Sequence, residues 1–197
     1  MSKLNYNQLA AEIHANSVKH GWWENQPSIE HFLTLVVCEL AEAVEADRKG
    51  NRCDRKLFTC SLATFVECDG GKAYNSVKYD RRWNTAFEQC VKDTVEDEIA
   101  DAVMRLLDIA GAKGYDFGKP FGCNYSVLVS TAQTFTENIG SIMGCVMCRS
   151  LTAYNRVACT LVQIEWLAEQ MGIDLEWHIK HKMQYNASRP YKHGKAY

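Results

Sequence analysis

The chain has 197 residues, a length that suits one domain with a core large enough to need neither disulfides nor a structural metal. Its 47% hydrophobic and 23% charged residues are the balance of an ordinary soluble globular protein, and no apolar run approaches the roughly 20 residues needed to span a bilayer. The net charge of −2 hides a skew: residues 178–197 hold five Lys or Arg, three His and no acidic residue, a basic patch too narrow for a duplex nucleic-acid surface.

In chain order, residues 4–20 predict a first helix with Leu4, Leu9, Ile13 and Val18 on its apolar side, ended by Gly21. Trp22 and Trp23 follow in a loop. Ser28 is a good N-cap for a second helix over about 29–49, with Gly50 where a left-handed C-terminal residue belongs. Residues 51–82 lose the helical period and read as an irregular insertion with turns around two short runs. Residues 61–66 fit strand or helix equally, and the segment suits a lid or a dimer contact. A third helix is expected over about 83–114, interrupted near Lys92, then two more over about 125–147 and 151–171. Asp174 caps a last helix reaching about Asn186. Strand-like alternation is scarce, so the fold class is all-α: one domain over 1–197, a bundle of about five to six helices.

The nine cysteines form an odd set lying mostly in apolar runs, and no secretory signal opens the chain. Reduced thiols in a cytoplasmic protein are expected. Cys145-x-x-Cys148 has no second ligand pair at zinc spacing and reads as core.

Two short motifs stand out. Glu39-x-x-Glu42 and Glu98-x-x-Asp101 each place two carboxylates one helical turn apart. On the second helix, Phe32, Val36, Leu40, Ala43 and Ala46 gather on one arc at about 100° per residue. Glu39 falls inside that arc, Glu42 at its edge, and Glu45 outside. A solvated acidic face would have grouped Glu39 with Glu45. On the third helix Glu98 borders the apolar stripe, Asp101 and Arg105 lie further toward that flank, and Glu96 and Asp97 are expected in solvent. Either pair alone is an ordinary solvated acidic turn. Four carboxylates brought together need positive charge, and all-oxygen ligation selects Mg²⁺ or Mn²⁺ over zinc. Mg²⁺ favours phosphate oxygens, which points to a phosphorylated substrate.

The basic end supplies a matching set. Lys182, Asn186 and Arg189 lie on one helical side, offering a point charge, an amide and a bidentate fork for phosphate. Without a partner they are a solvated basic terminus. Trp22 and Trp23 are packing anchors or stacking platforms for a nucleobase, with Asn16 or a histidine placed to bond its edge.

These residues carry a resemblance. Glu39-x-x-Glu42 and Glu98-x-x-Asp101, with residues 15–23, 39–48 and 96–108 around them, resemble the MazG-like, all-α nucleoside triphosphate pyrophosphohydrolases. The tail from Lys182 to Gly194 is similar to the phosphate-binding tail of the related dimeric dUTPases. The likeness covers most of the chain except about residues 52–82. It implies a helical homodimer or homotetramer that hydrolyses a nucleoside triphosphate to the monophosphate and pyrophosphate. It also implies Mg²⁺ on Glu39, Glu42, Glu98 and Asp101, and substrate contacts from Asn16, Trp22, Trp23, Lys182, Asn186 and Arg189. Many members have a glutamate directly before the first metal glutamate; here Cys38 stands there. The catalytic base is then Glu39, or the bound water loses its proton to solvent. Phosphoribosyl-ATP or a modified nucleotide is the alternative substrate, and a non-catalytic helical binding or scaffold protein is the alternative class.

Overall fold

Local capping chemistry places the helix ends close to where the sequence puts them. The computed structural model describes residues 4–68, 76–118 and 129–194, which form eight α-helices, a short 3-10 turn and no strand. They are α1 (Tyr6–Lys19), α2 (Ile29–Arg48), α3 (Arg55–Cys68), α4 (Ser76–Cys90), α5 (Val95–Lys113), α6 (Phe135–Val146), α7 (Ala153–Gln170) and α8 (Leu175–Ala187), with the 3-10 turn at Tyr191–Gly194. The Ser28 hydroxyl accepts from the His31 N–H at 3.2 Å to open α2. Thr94 does the same for Asp97 at the start of α5, and Gly114 closes that helix at φ +62. Asp174 caps α8 by accepting from Trp177 N–H at 3.1 Å.

The bundle is built around α5. It packs against α2, α1, α7 and α8, while α6 lies on α2 and α7. This many neighbours leaves α5 almost without a solvent face: Ile99, Ala102, Leu106, Leu107, Ile109 and Ala110 have no exposed surface. The α1–α5 crossing is close enough to need glycine. A Cβ on Gly111 would lie 2.5 Å from the Ala10 carbonyl oxygen and from the His14 Cβ.

Four expectations change. The segment 51–82 is not irregular; its described residues are mostly α3 and the first half of α4. Asp80 and Arg81 read as turn residues because they are polar, yet they lie on the exposed side of α4, whose inner side is Trp83, Ala86, Phe87 and Cys90. This brings the helix count among the described residues to eight rather than five or six. The interruption expected near Lys92 is present and is a full break, so the one helix becomes two: α4 ends at Cys90, and Asp93 at φ +59 and the Thr94 cap restart the chain as α5. Among the described residues the next helix starts at Phe135, because Thr134 and Glu137 form a capping box there, and residues 129–134 before it are not helical. The start predicted at 125–128 lies outside the described residues. Thr131, Thr134 and Thr136 are exposed, and Ser130 is tied by its backbone to the Asn138 amide.

The α3–α4 hairpin has its own aromatic core and seats against α8. Phe87 stacks on Tyr185 with ring centres 4.7 Å apart, and Phe58 meets Trp83, Trp177 and His181 edge-on. The Tyr185 hydroxyl donates to Glu88 at 2.8 Å. The hairpin thus buttresses the helix that carries the basic residues. Among the described residues no helix is long and apolar enough to cross a membrane, and no disulfide joins the described cysteines, Cys145 and Cys148 among them.

Candidate functional site

The inward position of Glu39 on α2 and of Glu98 on α5 follows from their helical phase, and the α2–α5 contact brings them face to face. Glu39 is 8% exposed and Glu98 4%. Each offers an oxygen that, with one from Asp101, forms a group within 4.8 Å of one another. Glu42 is not in this trio. It lies one turn along α2, exposed, on the wall of the same pocket.

That pocket has a volume of about 210 Å³ and is closed by four regions of the chain. From α1 and the following loop come Ile13, Asn16, Ser17 and Trp22; from α2, Glu39 and Glu42. The 92–93 turn and α5 supply Lys92, Asp93, Glu98, Asp101, Met104, Arg105 and Asp108, and the C-terminal end supplies Lys182, Asn186, Arg189 and His193. Nine of the ten residues singled out from sequence line it. Trp23 does not: its ring stacks on Phe32 with centres 4.2 Å apart, and its indole N–H donates to both Asp108 oxygens at 3.0 and 3.1 Å.

The carboxylates are partly neutralised from within. Arg105 Nε donates to Glu39 at 2.9 Å. Lys182 Nζ bridges Asp97 at 2.6 Å and Asp101 at 2.7 Å and is 4% exposed, so its ammonium is a buried link between α8 and α5 rather than an open charge. Asp97 has no exposed surface, which corrects its placement in solvent. α5 viewed alone turns Asp97 outward, but α8 lies over that side. One Asp97 oxygen also accepts from the Asp93 N–H at 3.1 Å, and the other is buried without a hydrogen bond.

Glu98 has no hydrogen-bond or ion-pair partner among the described residues. Burial, reinforced by Asp101, pushes its carboxyl up to about 9. Burial and then Asp101 push Glu39 up to about 7 against the pull of Arg105, and burial raises Asp97 to about 6 against the pull of Lys182. For Lys182 burial alone would lower the value, but Asp101 and Asp97 outweigh it and hold the ammonium above its usual range. Lys182 and Arg105 thus serve Asp97, Asp101 and Glu39, and Glu98 has no counter-ion among the described residues. A hard divalent ion fits this donor set, since all three converging ligands are carboxylate oxygens and no thiol or imidazole competes.

Beside the carboxylates, Asp108 ties the pocket floor to the α1–α2 loop. It accepts from Ser17 Oγ at 2.7 Å and from the Trp23 indole, and pairs with His14 Nδ1 at 2.8 Å. Burial raises its carboxyl, opposed by those hydrogen bonds. The tail is fastened over the same loop. The His20 ring lies between the carbonyls of Asn16 and Arg189, the Lys192 N–H donates to the His20 carbonyl at 3.0 Å, and the Tyr191 hydroxyl bonds Glu24. Gly21, at φ +82, permits this, because a Cβ there would lie 2.2 Å from the Tyr191 ring. His193 thereby reaches the pocket wall, edge-on to Trp22 with centres 5.4 Å apart.

Sequence reasoning missed Asp97, Arg105, Asp108 and His193. For two of them a signal was present: Asp101, Arg105 and Asp108 recur at i, i+4 and i+7, a polar line beside the apolar stripe of α5. Asn186, by contrast, was anticipated, and its side-chain oxygen is buried without a hydrogen bond. Comparison with family models, curated proteins and solved structures returns no match.

Proposed function

We propose that this chain is a Mg²⁺-dependent nucleoside triphosphate pyrophosphohydrolase of the MazG-like, all-α kind, with Mn²⁺ an acceptable substitute. The observation that carries the reading is the convergence of Glu39, Glu98 and Asp101 within 4.8 Å, in a pocket that also receives Arg105, Asn186 and Arg189. Glu39, Glu98 and Asp101 would hold the cation, with Glu42 on the pocket wall as a fourth carboxylate. When bound, the cation neutralises polyphosphate charge and acidifies a bound water.

The chain's own side chains do the rest. Arg189 and Arg105 face the phosphate chain as forked donors, and the open Asn186 amide orients it. Trp22 offers the flat apolar surface on which a base of either class can stack. Glu39, which faces the other two carboxylates in the pocket, is the residue assigned as base. Cys38 is exposed and does not line the pocket, so its thiol takes no part. The protein acts as a homodimer or homotetramer in this reading, which light scattering on the purified chain tests.

A panel of the common nucleoside triphosphates and their deoxy forms, plus phosphoribosyl-ATP and modified bases, tests the activity by release of monophosphate and pyrophosphate. The double substitution Glu39→Gln with Glu98→Gln should abolish turnover. Full activity in that double variant would remove these residues from the chemistry. A second reading, a non-catalytic helical nucleotide-binding or scaffold protein, is favoured by one observation: Lys182 and Arg105 already neutralise part of the cluster. It predicts no uptake of Mg²⁺ in calorimetric titration.

A further inference from the structure

Arg105 uses only one of its guanidinium donors within the described residues, Nε to Glu39 at 2.9 Å. Its two Nη groups make no hydrogen bond there, although the residue lines the pocket. The side chain is 24% exposed and its guanidinium lies 6.0 Å from the Trp22 ring, so it has room to turn without leaving the cavity. Opposite it, Glu98 is 4% exposed, faces the pocket and has no hydrogen-bond or ion-pair partner among the described residues. One carboxyl of the converging trio thus has no counter-ion among the described residues while another is held by an arginine.

We propose that Arg105 is a resident counter-ion that Glu39 surrenders when a divalent cation enters, and that the released guanidinium then binds the phosphate chain of the substrate. This rests on the pyrophosphohydrolase reading and adds to it a thermodynamic rule. A divalent cation arriving alone must displace Arg105 from Glu39 and offers the guanidinium no anion in exchange. Arriving with a polyphosphate, it meets no such penalty, because the phosphate oxygens take up the guanidinium. Cation and phosphate therefore bind cooperatively, each raising the affinity of the other by the same factor. Arg105 opposes one ligand and supports the other.

That opposition distinguishes the proposal from a structural role. Two titrations are measured by calorimetry: Mg²⁺ alone, and a non-hydrolysable α,β-imido deoxynucleoside triphosphate in excess Mg²⁺. They are run on the wild type, Arg105→Met and Arg105→Lys, with circular dichroism confirming that each folds. Arg105→Met should bind Mg²⁺ alone about fivefold more tightly, the order expected from freeing one partly exposed ion pair. The same variant should bind the analogue about tenfold or more weakly, having lost a charged hydrogen-bond donor to phosphate. Arg105→Lys should lie between wild type and Arg105→Met in both titrations. Affinities that fall together in Arg105→Met, or that both stay at wild-type values, overturn the proposal while leaving the metal-dependent reading intact. A wild-type protein that takes up Mg²⁺ neither alone nor with the analogue overturns that underlying reading instead.

Discussion

Glu98→Gln should make the metal-free protein more stable and at the same time insensitive to Mg²⁺. The Glu98 carboxyl is pushed up to about 9 by burial and by Asp101, against 4.5 for the ordinary group. A carboxyl whose folded value is raised keeps its proton longer in the native state than in the unfolded chain. Its contribution is therefore complete at pH values below 4.5 and is lost as the pH climbs through the folded value. At about pH 7.5 the difference of about three units amounts to roughly 4 kcal/mol at ~1.4 kcal/mol per unit, and water in the open pocket reduces this to about 2 kcal/mol. Glutamine has nearly the same shape and carries no proton to lose. Removing the penalty should raise Tm by about 4–8 °C for a chain of this size. Differential scanning calorimetry in EDTA from about pH 5 to pH 9 would show wild-type stability falling across that range and the variant falling less. Glu39, pushed up to about 7, Asp97, raised to about 6, and Asp108, also raised, add to the slope that remains. Excess Mg²⁺ at about a hundred times its Kd should stabilise the wild type by about 2.7 kcal/mol and leave Glu98→Gln nearly unmoved. A variant less stable than wild type in EDTA, or one that gains as much from Mg²⁺, would refute the reasoning.

Lys182→Met leaves Asp97 buried without its cation, and a loss of about 3–5 kcal/mol is expected in chemical denaturation. Adding Asp97→Asn to that variant should restore much of the loss, whereas two independent penalties would sum. Gly21→Ala places a methyl group against the Tyr191 ring at a positive φ and should detach the tail, seen as faster amide exchange over residues 189–194 and a higher KM. Unchanged exchange there would show that the tail does not depend on the Gly21 turn. Gly111→Ala should cost about 1–3 kcal/mol, because the Ala10 carbonyl it meets is backbone and cannot swing away.

The inward phase of Glu39 was readable because α2 has one dominant partner, α5, and a single apolar arc marks which way it faces. Asp97 was not readable, because α5 is covered on several sides and its second buried face is polar. Nothing along α5 announces that Lys182, 85 residues later, will lie over that side. The insertion failed for a related reason. α4 is largely polar, and its narrow inner side of Trp83, Ala86, Phe87 and Cys90 is completed by Tyr185 and Trp177 from α8.

Sequence alone determined what short-range chemistry controls: the caps at Ser28 and Asp174, the left-handed glycine at 50, and the apolar stripes that make the chain all-α. It also marked the carboxylates that line the pocket on α2 and the first turns of α5, because a carboxylate inside or beside an apolar arc is conspicuous wherever it occurs. Tertiary structure decided which charges meet. Lys182 is committed to Asp97 and Asp101, Arg105 to Glu39, Trp23 to Asp108, and Glu98 to no side chain among the described residues. Those pairings depend on how α1, α5 and α8 pack together, since residues far apart in sequence become neighbours only when their helices cross.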